Sequence, residues 1–272
     1  RQLTVAQNDA DALGSCAAAL NLSTSSLIIA DNVYVGNTIT ATGTITAAAG
    51  GVVQMGTSNY PCNLILGNDA GYYYPSGSME ATNWVLHACL NNLIVGNGGG
   101  DNWYNVGRMV LDADDQVTVY SNLSVDAGGW GFGTLTVPDS TVLQLGTGPS
   151  NRANRLLIGA VSTGAGRSSY GTMSGTGEFF TAYLNEAVVG QNVGWDSAYG
   201  TLNLTPSNTI VAGEFKIGGS DGKVTLPTGG LLVIGLTTNR GNLRVGYAAG
   251  AGFCYGRLAP TNWTLRAYLT DL

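Results

Sequence analysis

Charge is scarce in this chain. Asp, Glu, Lys and Arg make up 10% of its 272 residues, far below the roughly one quarter of an ordinary soluble domain. The small balance is acidic, with a net charge of −6 and a pI near 4.5. No basic patch is available to pair with phosphates, so a nucleic-acid partner is excluded. Histidine occurs once, as His87 between Leu86 and Ala88. A catalytic Ser–His or Cys–His pair therefore has one centre only, no motif surrounds it, and His87 reads as an exposed strand residue. No apolar run approaches the ~20 residues that span a bilayer. No CxxC or Cys/His grouping has the spacing of a zinc site. With so little charge, surface polarity must come from Thr, Ser and Asn, a balance usual for secreted, extracellular repeat proteins. The sequence begins at Arg1 rather than Met, which reads as a processed N-terminus or an artificial boundary.

What the chain has in quantity is glycine, 41 residues, and it is periodic. A fourteen-residue module begins with Gly, carries an apolar residue at its third position and closes on Gly, Leu or Tyr. Modules start at Gly43, Gly77, Gly107, Gly133, Gly171, Gly200, Gly222 and Gly256. Their third positions are Ile45, Met79, Met109, Leu135, Met173, Leu202, Val224 and Leu258. Residues 63–90 and 242–269 also align without gaps at an offset of 179, sharing T-N-W-x-L-x-A-x-L.

Each module reads as strand, corner, strand. In GTLTV the apolar side chains alternate. Pro138-Asp139-Ser140 and Pro227-Thr228-Gly229-Gly230 are corner chemistry. A third strand follows, as in LILG (64–67), LIVG (93–96) and LRVG (243–246). Three short strands per ~30 residues predict an all-β, parallel β-solenoid of about eight coils over 25–272, stacked at the ~4.8 Å spacing of paired strands. Residues 1–24 fall outside the repeat. Asn8 to Leu20 (NDADALGSCAAAL) reads as a short helix capping the first coil. After Leu269 a third-strand Gly is expected near position 275, beyond Leu272. An open coil edge of that kind is a template for head-to-tail stacking of copies into a fibre.

Several residues are candidates for chemistry. Cys62 and Cys89 fall just ahead of the third strand in adjacent coils, which favours a disulfide between them. Cys16 and Cys254 would then be free or link neighbouring subunits; buried free thiols are the alternative for all four. Aromatics gather after the third-strand glycines: Tyr72, Tyr73 and Tyr74; Trp103 and Tyr104; Trp130 and Phe132; Tyr170; Trp195 and Tyr199; Phe253 and Tyr255. They form either a sugar-stacking or lateral-contact stripe, or rings that stack on one another over their own loops. Asp112, Asp114 and Asp115 are grouped as the acids of pectin-cleaving solenoids are, but they occupy a turn, where Asp serves turn geometry. The run 96–104 with Asp101 is a single copy of a loosely calcium-binding pattern, and no cofactor is expected. Thr38, Thr40, Thr42, Thr44 and Thr46 alternate in one segment without repeating in the next. Sequons stand at Asn21, Asn122, Asn203 and Asn262.

The G-T-L-T-V and L-x-I-G phrases resemble the β-strand repeats of secreted bacterial surface proteins, including autotransporter passenger domains, over roughly 25–272. The resemblance implies architecture and brings no catalytic motif onto these residues. The function expected is a non-catalytic structural protein of the cell surface or matrix, assembling with itself. A glycan-binding adhesin is the first alternative, and a polysaccharide lyase or hydrolase the second.

Overall fold

The structure is a computed structural model that describes residues 1–8, 14–38, 40–68, 74–98, 105–161, 168–177, 180–193, 196–247, 254–259 and 262–270. Every described element is a strand, and nearly all strand pairing is parallel. β1 (Gln2–Gln7) starts the stack. β2 (Cys16–Leu22), β3 (Ser25–Ile28) and β4 (Asn32–Asn37) form the first coil; β5 (Ala41–Ala47), β6 (Val52–Met55) and β7 (Cys62–Asn68) the second. The third is β8 (Ser76–Glu80) and β9 (Val85–Asn97), the fourth β10 (Asn105–Val110) and β11 (Gln116–Gly128). β12 (Gly131–Thr136), β13 (Val142–Leu145) and β14 (Ala153–Val161) make the fifth. The sixth is β15 (Ser168–Ser174) and β16 (Phe180–Gln191), the seventh β17 (Ser197–Asn203) and β18 (Ser207–Gly218). β19 (Asp221–Thr225), β20 (Leu231–Ile234) and β21 (Asn242–Tyr247) complete the eighth. β22 (Gly256–Leu258) and β23 (Thr264–Ala267) begin a further turn. The nine first strands form one sheet, and the second and third strands form a fourteen-stranded sheet bent around a corner. The expected solenoid of about eight turns is the fold.

The expected helical cap is not. The Ala-rich stretch is β2, an outer rung paired in register with β5, Ala18 on Gly43 and Leu20 on Ile45. Alanine's helix propensity is a weak prior, and a waiting parallel edge overrides it. Residues 18–31 (AALNLSTSSLIIAD) are in fact another module, hidden because Ala18 stands in place of the opening glycine.

The glycine rule has a steric cause. Each module's first residue lies against the backbone of the two third strands that precede it. A Cβ at Gly107 would stand 1.9 Å from the Gly96 nitrogen, and one at Gly77 would stand 2.0 Å from the Val35 carbonyl oxygen. At Ala18 no described strand lies below β1 to supply that carbonyl, so its Cβ meets no such contact. Inside, the third-position residues Ile45, Met79, Met109, Leu135, Met173, Leu202 and Val224 are fully buried and stack in one column.

The module endings distinguish two kinds of corner. Gly56, Gly146 and Gly235 take positive φ, 67°, 65° and 70°, and each leads into a tight turn closed by paired backbone hydrogen bonds, as between Thr57 and Tyr60. Where the module ends in Leu90, Tyr120, Leu184 or Gly213, the second strand runs on into the third as one bent strand. Turned corners therefore occur in coils two, five and eight. This exposes a larger period of three coils. The modules at 43, 133 and 222 are one type. Those at 77, 171 and 256 are a second, ending HACL, TAYL and RAYL. Those at 18, 107 and 200 are a third, with LNL shared by 20–22 and 202–204. The offset of 179 is two steps of this period.

Gly107→Ala is expected to destabilise the chain by about 3 kcal/mol, because the Val95–Gly96 backbone against it must move. Gly148→Ala, whose Cβ meets nothing within 4 Å, should stay within ~0.5 kcal/mol. Urea unfolding of the two variants checks the contrast.

Candidate functional site

The solenoid presents its chemistry in columns, because equivalent residues of successive coils stand one above another. On the outer face of the first strands, Val106, Phe132, Tyr170 and Tyr199 share one column. Phe132 and Tyr170 stack at 4.9 Å and Tyr170 and Tyr199 at 4.7 Å, with planes 12° and 1° apart. Stacking covers both faces of the Tyr170 ring and one face each of Phe132 and Tyr199. Beside them run Thr134, Thr172 and Thr201, then Thr136, Ser174 and Asn203. None of these outward residues of coils five to seven is charged. The patch is flanked by the Arg108–Glu80 pair on one side and the Arg257–Asp221 pair on the other. Tyr74 and Tyr255 are exposed. Trp130 is half-buried. Tyr72, Tyr73, Trp103, Tyr104, Trp195, Phe253 and Asp101 lie outside the described residues, and with Asp101 the calcium reading.

The outer face of the third strands carries ladders that the sequence reading missed. Asn63 donates to Asn32 at 2.8 Å, Asn92 to Asn63 at 2.7 Å and Asn122 to Asn92 at 2.7 Å. A second ladder joins Asn97, Asn68 and Asn37. The signal was in view: N-x-x-V-G-N at 32–37 and 92–97, and N-L-I-L-G-N at 63–68. Above Asn122 the column changes to ions. Arg155 Nε meets Glu186 at 2.9 Å, Lys216 Nζ meets Glu186 at 2.7 Å and also Glu214, and Glu214 meets Arg244. Burial pushes the Lys216 ammonium down, but the two glutamates outweigh it and hold it above its usual value. Asn122, Asn154, Arg155, Asn185 and Glu186 line a shallow, open depression of about 460 Å³.

The acidic corner is built for structure. Asp115 is buried; its carboxylate accepts from the Leu86 N–H at 2.7 Å and the Asp112 N–H at 2.8 Å. Asp112 accepts in turn from the Asn83 N–H, and Asp114 takes the left-handed turn conformation, φ 69°. Burial raises Asp115 to about 6 against those two bonds. His87 is exposed on β9, in register with Gln54 and Gln116. Among the described residues no group of three or more His, Cys, Asp or Glu has a metal-binding arrangement.

All four cysteines are free thiols. Cys62 is in register with Leu90, so Cys89 is one residue off. Consecutive strand residues face opposite sides. Cys62 points into the core, where burial raises it to about 11, while Cys89 sits 4.0 Å from the Tyr120 hydroxyl. The expected Cys62–Cys89 bridge is thus replaced by two thiols on opposite faces of the strand. Thr42, Thr44 and Thr46 lie on β5, and the next rung puts Ser76, Ser78 and Glu80 on that face. Of the sequons, Asn21 and Asn262 are exposed, and Asn122 and Asn203 are half-buried with bonded amides.

No protein family, curated protein or solved structure matches this chain.

Two outcomes are expected. Iodoacetamide should label Cys62 far more slowly than Cys89, as read by peptide mass spectrometry. Asp115→Ala should cost about 1–3 kcal/mol in urea unfolding, because it strands the buried Leu86 N–H.

Proposed function

We propose that this chain is a non-catalytic structural protein of the cell surface or extracellular matrix, a secreted β-solenoid subunit that stacks head to tail with copies of itself. The observation that carries the reading is the phase of its coils. The three module types run in fixed order from the coil at 18 to the coil at 256, three times over. The first coil is of the type that follows the last. A second copy laid on the β22–β23 edge would therefore continue the same order, strand on strand, by parallel β-augmentation.

Two further features support it. Core columns reach that edge still apolar: Val245 is 47% exposed and Leu265 40%, while Ile217 and Leu232 one rung below are fully buried. The charge is also polarised along the axis. Residues 1–139 hold two Arg against eleven Asp and Glu, whereas residues 140–272 hold nine Lys and Arg against six. An acidic leading end and a basic trailing end attract head to tail and repel head to head. The resemblance to autotransporter passenger repeats fits the same reading. The saturated acidic corner and the exposed, isolated His87 support a role without catalysis. A second reading, a glycan-binding surface, is favoured by the uncharged patch of rings and hydroxyls on coils five to seven. Its central ring, Tyr170, is covered on both faces, which argues against sugar stacking on that ring.

Electron microscopy and sedimentation of the 272-residue chain test the proposal. Fibres with a subunit repeat of roughly 43 Å, nine rungs at ~4.8 Å, are expected. They should shorten as salt is raised and disperse in Val245→Asp/Leu265→Asp. Monodisperse rods at all concentrations would sink the stacking, and binding of a neutral polysaccharide that Tyr170→Ala/Thr172→Ala abolishes would favour the second reading.

A further inference from the structure

Asp126 stands where the three-coil period calls for glycine. The equivalent residues are Gly36 and Gly218, and Asp126 shares the left-handed backbone of Gly36, φ 47° against 65°. Three neighbours depart from the period with it. Asn105 replaces Cys16 and Ala198, Gly131 replaces Ala41 and Ser220, and Ser169 replaces Pro75 and Cys254. These three occupy successive rungs in direct register, Asn105 on Gly131 and Gly131 on Ser169. The missing side chain of Gly131 opens a space between them, and the Asp126 carboxyl fills it.

Among the described residues the arrangement leaves two atoms without partners. Asp126 and Asn105 are both fully buried. One carboxyl oxygen, Oδ2, accepts from the Tyr170 N–H at 2.6 Å and lies 2.9 Å from Ser169 Oγ, whose one proton it shares with the Asp126 main-chain carbonyl at 2.8 Å. The other, Oδ1, has no hydrogen-bond partner, and neither has Asn105 Oδ1. Both open onto the same space: a Cβ on Gly131 would lie 2.4 Å from the first and 2.0 Å from the second. Two buried acceptors facing each other repel unless a hydrogen or a cation stands between them. Among the described residues the two oxygens are too few for the six to eight ligands of calcium. A single proton satisfies both.

We propose that Asp126 is held as the neutral carboxylic acid and donates its proton from Oδ1 to the amide oxygen of Asn105, forming a pH-sensitive lock across coils four to six. Losing that proton to water leaves a carboxylate against an amide oxygen, and the three rungs are pushed apart. Among the described residues no charge faces the carboxyl. The groups facing Asp126 are the Asn105 amide, the Ser169 hydroxyl and the Tyr170 N–H. The charged residues on the packed strands, Arg108 of β10 and Arg155 of β14, point outward and pair with Glu80 and Glu186. The Tyr170 ring lies outside, between Phe132 and Tyr199. His87 and Cys89 belong to the other arm of β9, in register with Gln116 and Thr118 of β11.

Burial raises the Asp126 carboxyl to about 7, against an unfolded value near 3.8. An acid raised in the folded state binds its proton more tightly there. Its contribution is therefore full at low pH, is lost between about pH 4 and pH 7, and is constant above. The test is the hydrogen-exchange protection of the Tyr170 amide across pH 4 to 8, corrected for the intrinsic pH dependence of exchange. In the wild-type chain protection should fall, approaching tenfold per pH unit within that window. Asp126→Asn, whose amide donates to Asn105 as the neutral acid does, should remain folded with protection independent of pH. If Asp126→Asn instead loses protection at pH 5 while the wild-type profile is flat, the carboxylate is charged and the Asn105 amide is its donor, and the proposal fails. It fails equally if calcium raises protection in the wild type at pH 7 and a chelator removes the gain, since a cation would then fill the space.

Discussion

The structure depends on one steric constraint: backbone must pass within contact distance of backbone at the inner corner of every coil. The first residue of each module lies against the third strand that leads into it, with room for a hydrogen and nothing larger. Gly77, Gly107, Gly133, Gly171 and Gly200 satisfy it, each with a hypothetical Cβ about 2 Å from a neighbouring backbone atom. With that corner fixed, strand alternation sends Met79, Met109 and Leu135 inward on consecutive rungs, and the column of core side chains follows. Unlike the core, the corner admits no repacking, because its partners are carbonyl and amide groups already bonded into ladders.

That constraint explains what could be read from the sequence. Glycine at fixed spacing with an apolar residue two positions later is the direct imprint of corner and core, so the solenoid was legible. The first coil was missed because Ala18 breaks the imprint on the outermost rung, where the constraint relaxes, and its alanines suggested a helix that the edge of β5 overrides. The larger period was half-visible in the offset of 179. The difference between turned and continuous corners lies in whether residue fourteen takes positive φ, which Gly56 does and Gly213 does not. That difference is set by the following loop rather than by the glycine. The cysteine pairing failed on parity, since one residue of register separates a bridge from two thiols on opposite faces. The site at Asp126 was illegible for a different reason. Asn105, Gly131, Asp126 and Ser169 span 65 positions and meet only because coils stack.

Low charge is compatible with a folded, water-facing surface because polar side chains form ladders of their own. The asparagines at 32, 63, 92 and 122 bond amide to amide up the third-strand face, and Arg155, Glu186 and Glu214 take over the same column as ions, with Lys216 and Arg244 joining from the column beside it. Such ladders repeat the logic of the backbone: each rung satisfies the one below and offers an acceptor to the one above. The first-strand face differs, with stacked rings and hydroxyls and no ions over three coils. A solenoid thus separates its faces by chemistry while holding one backbone geometry.

Stacked repeats ordinarily touch only their neighbours, and here Arg152 breaks that rule. From the turned corner of coil five it donates to the Leu184 carbonyl in coil six at 3.1 Å and reaches Asn239 at the turned corner of coil eight. A tie from coil five to coil eight makes that segment, rather than its single rungs, the unit that yields under load. Pulled from the ends, residues 152–239 would lengthen in one stride. It would release roughly 300 Å of extended chain, about three times the stride of a coil that peels away singly.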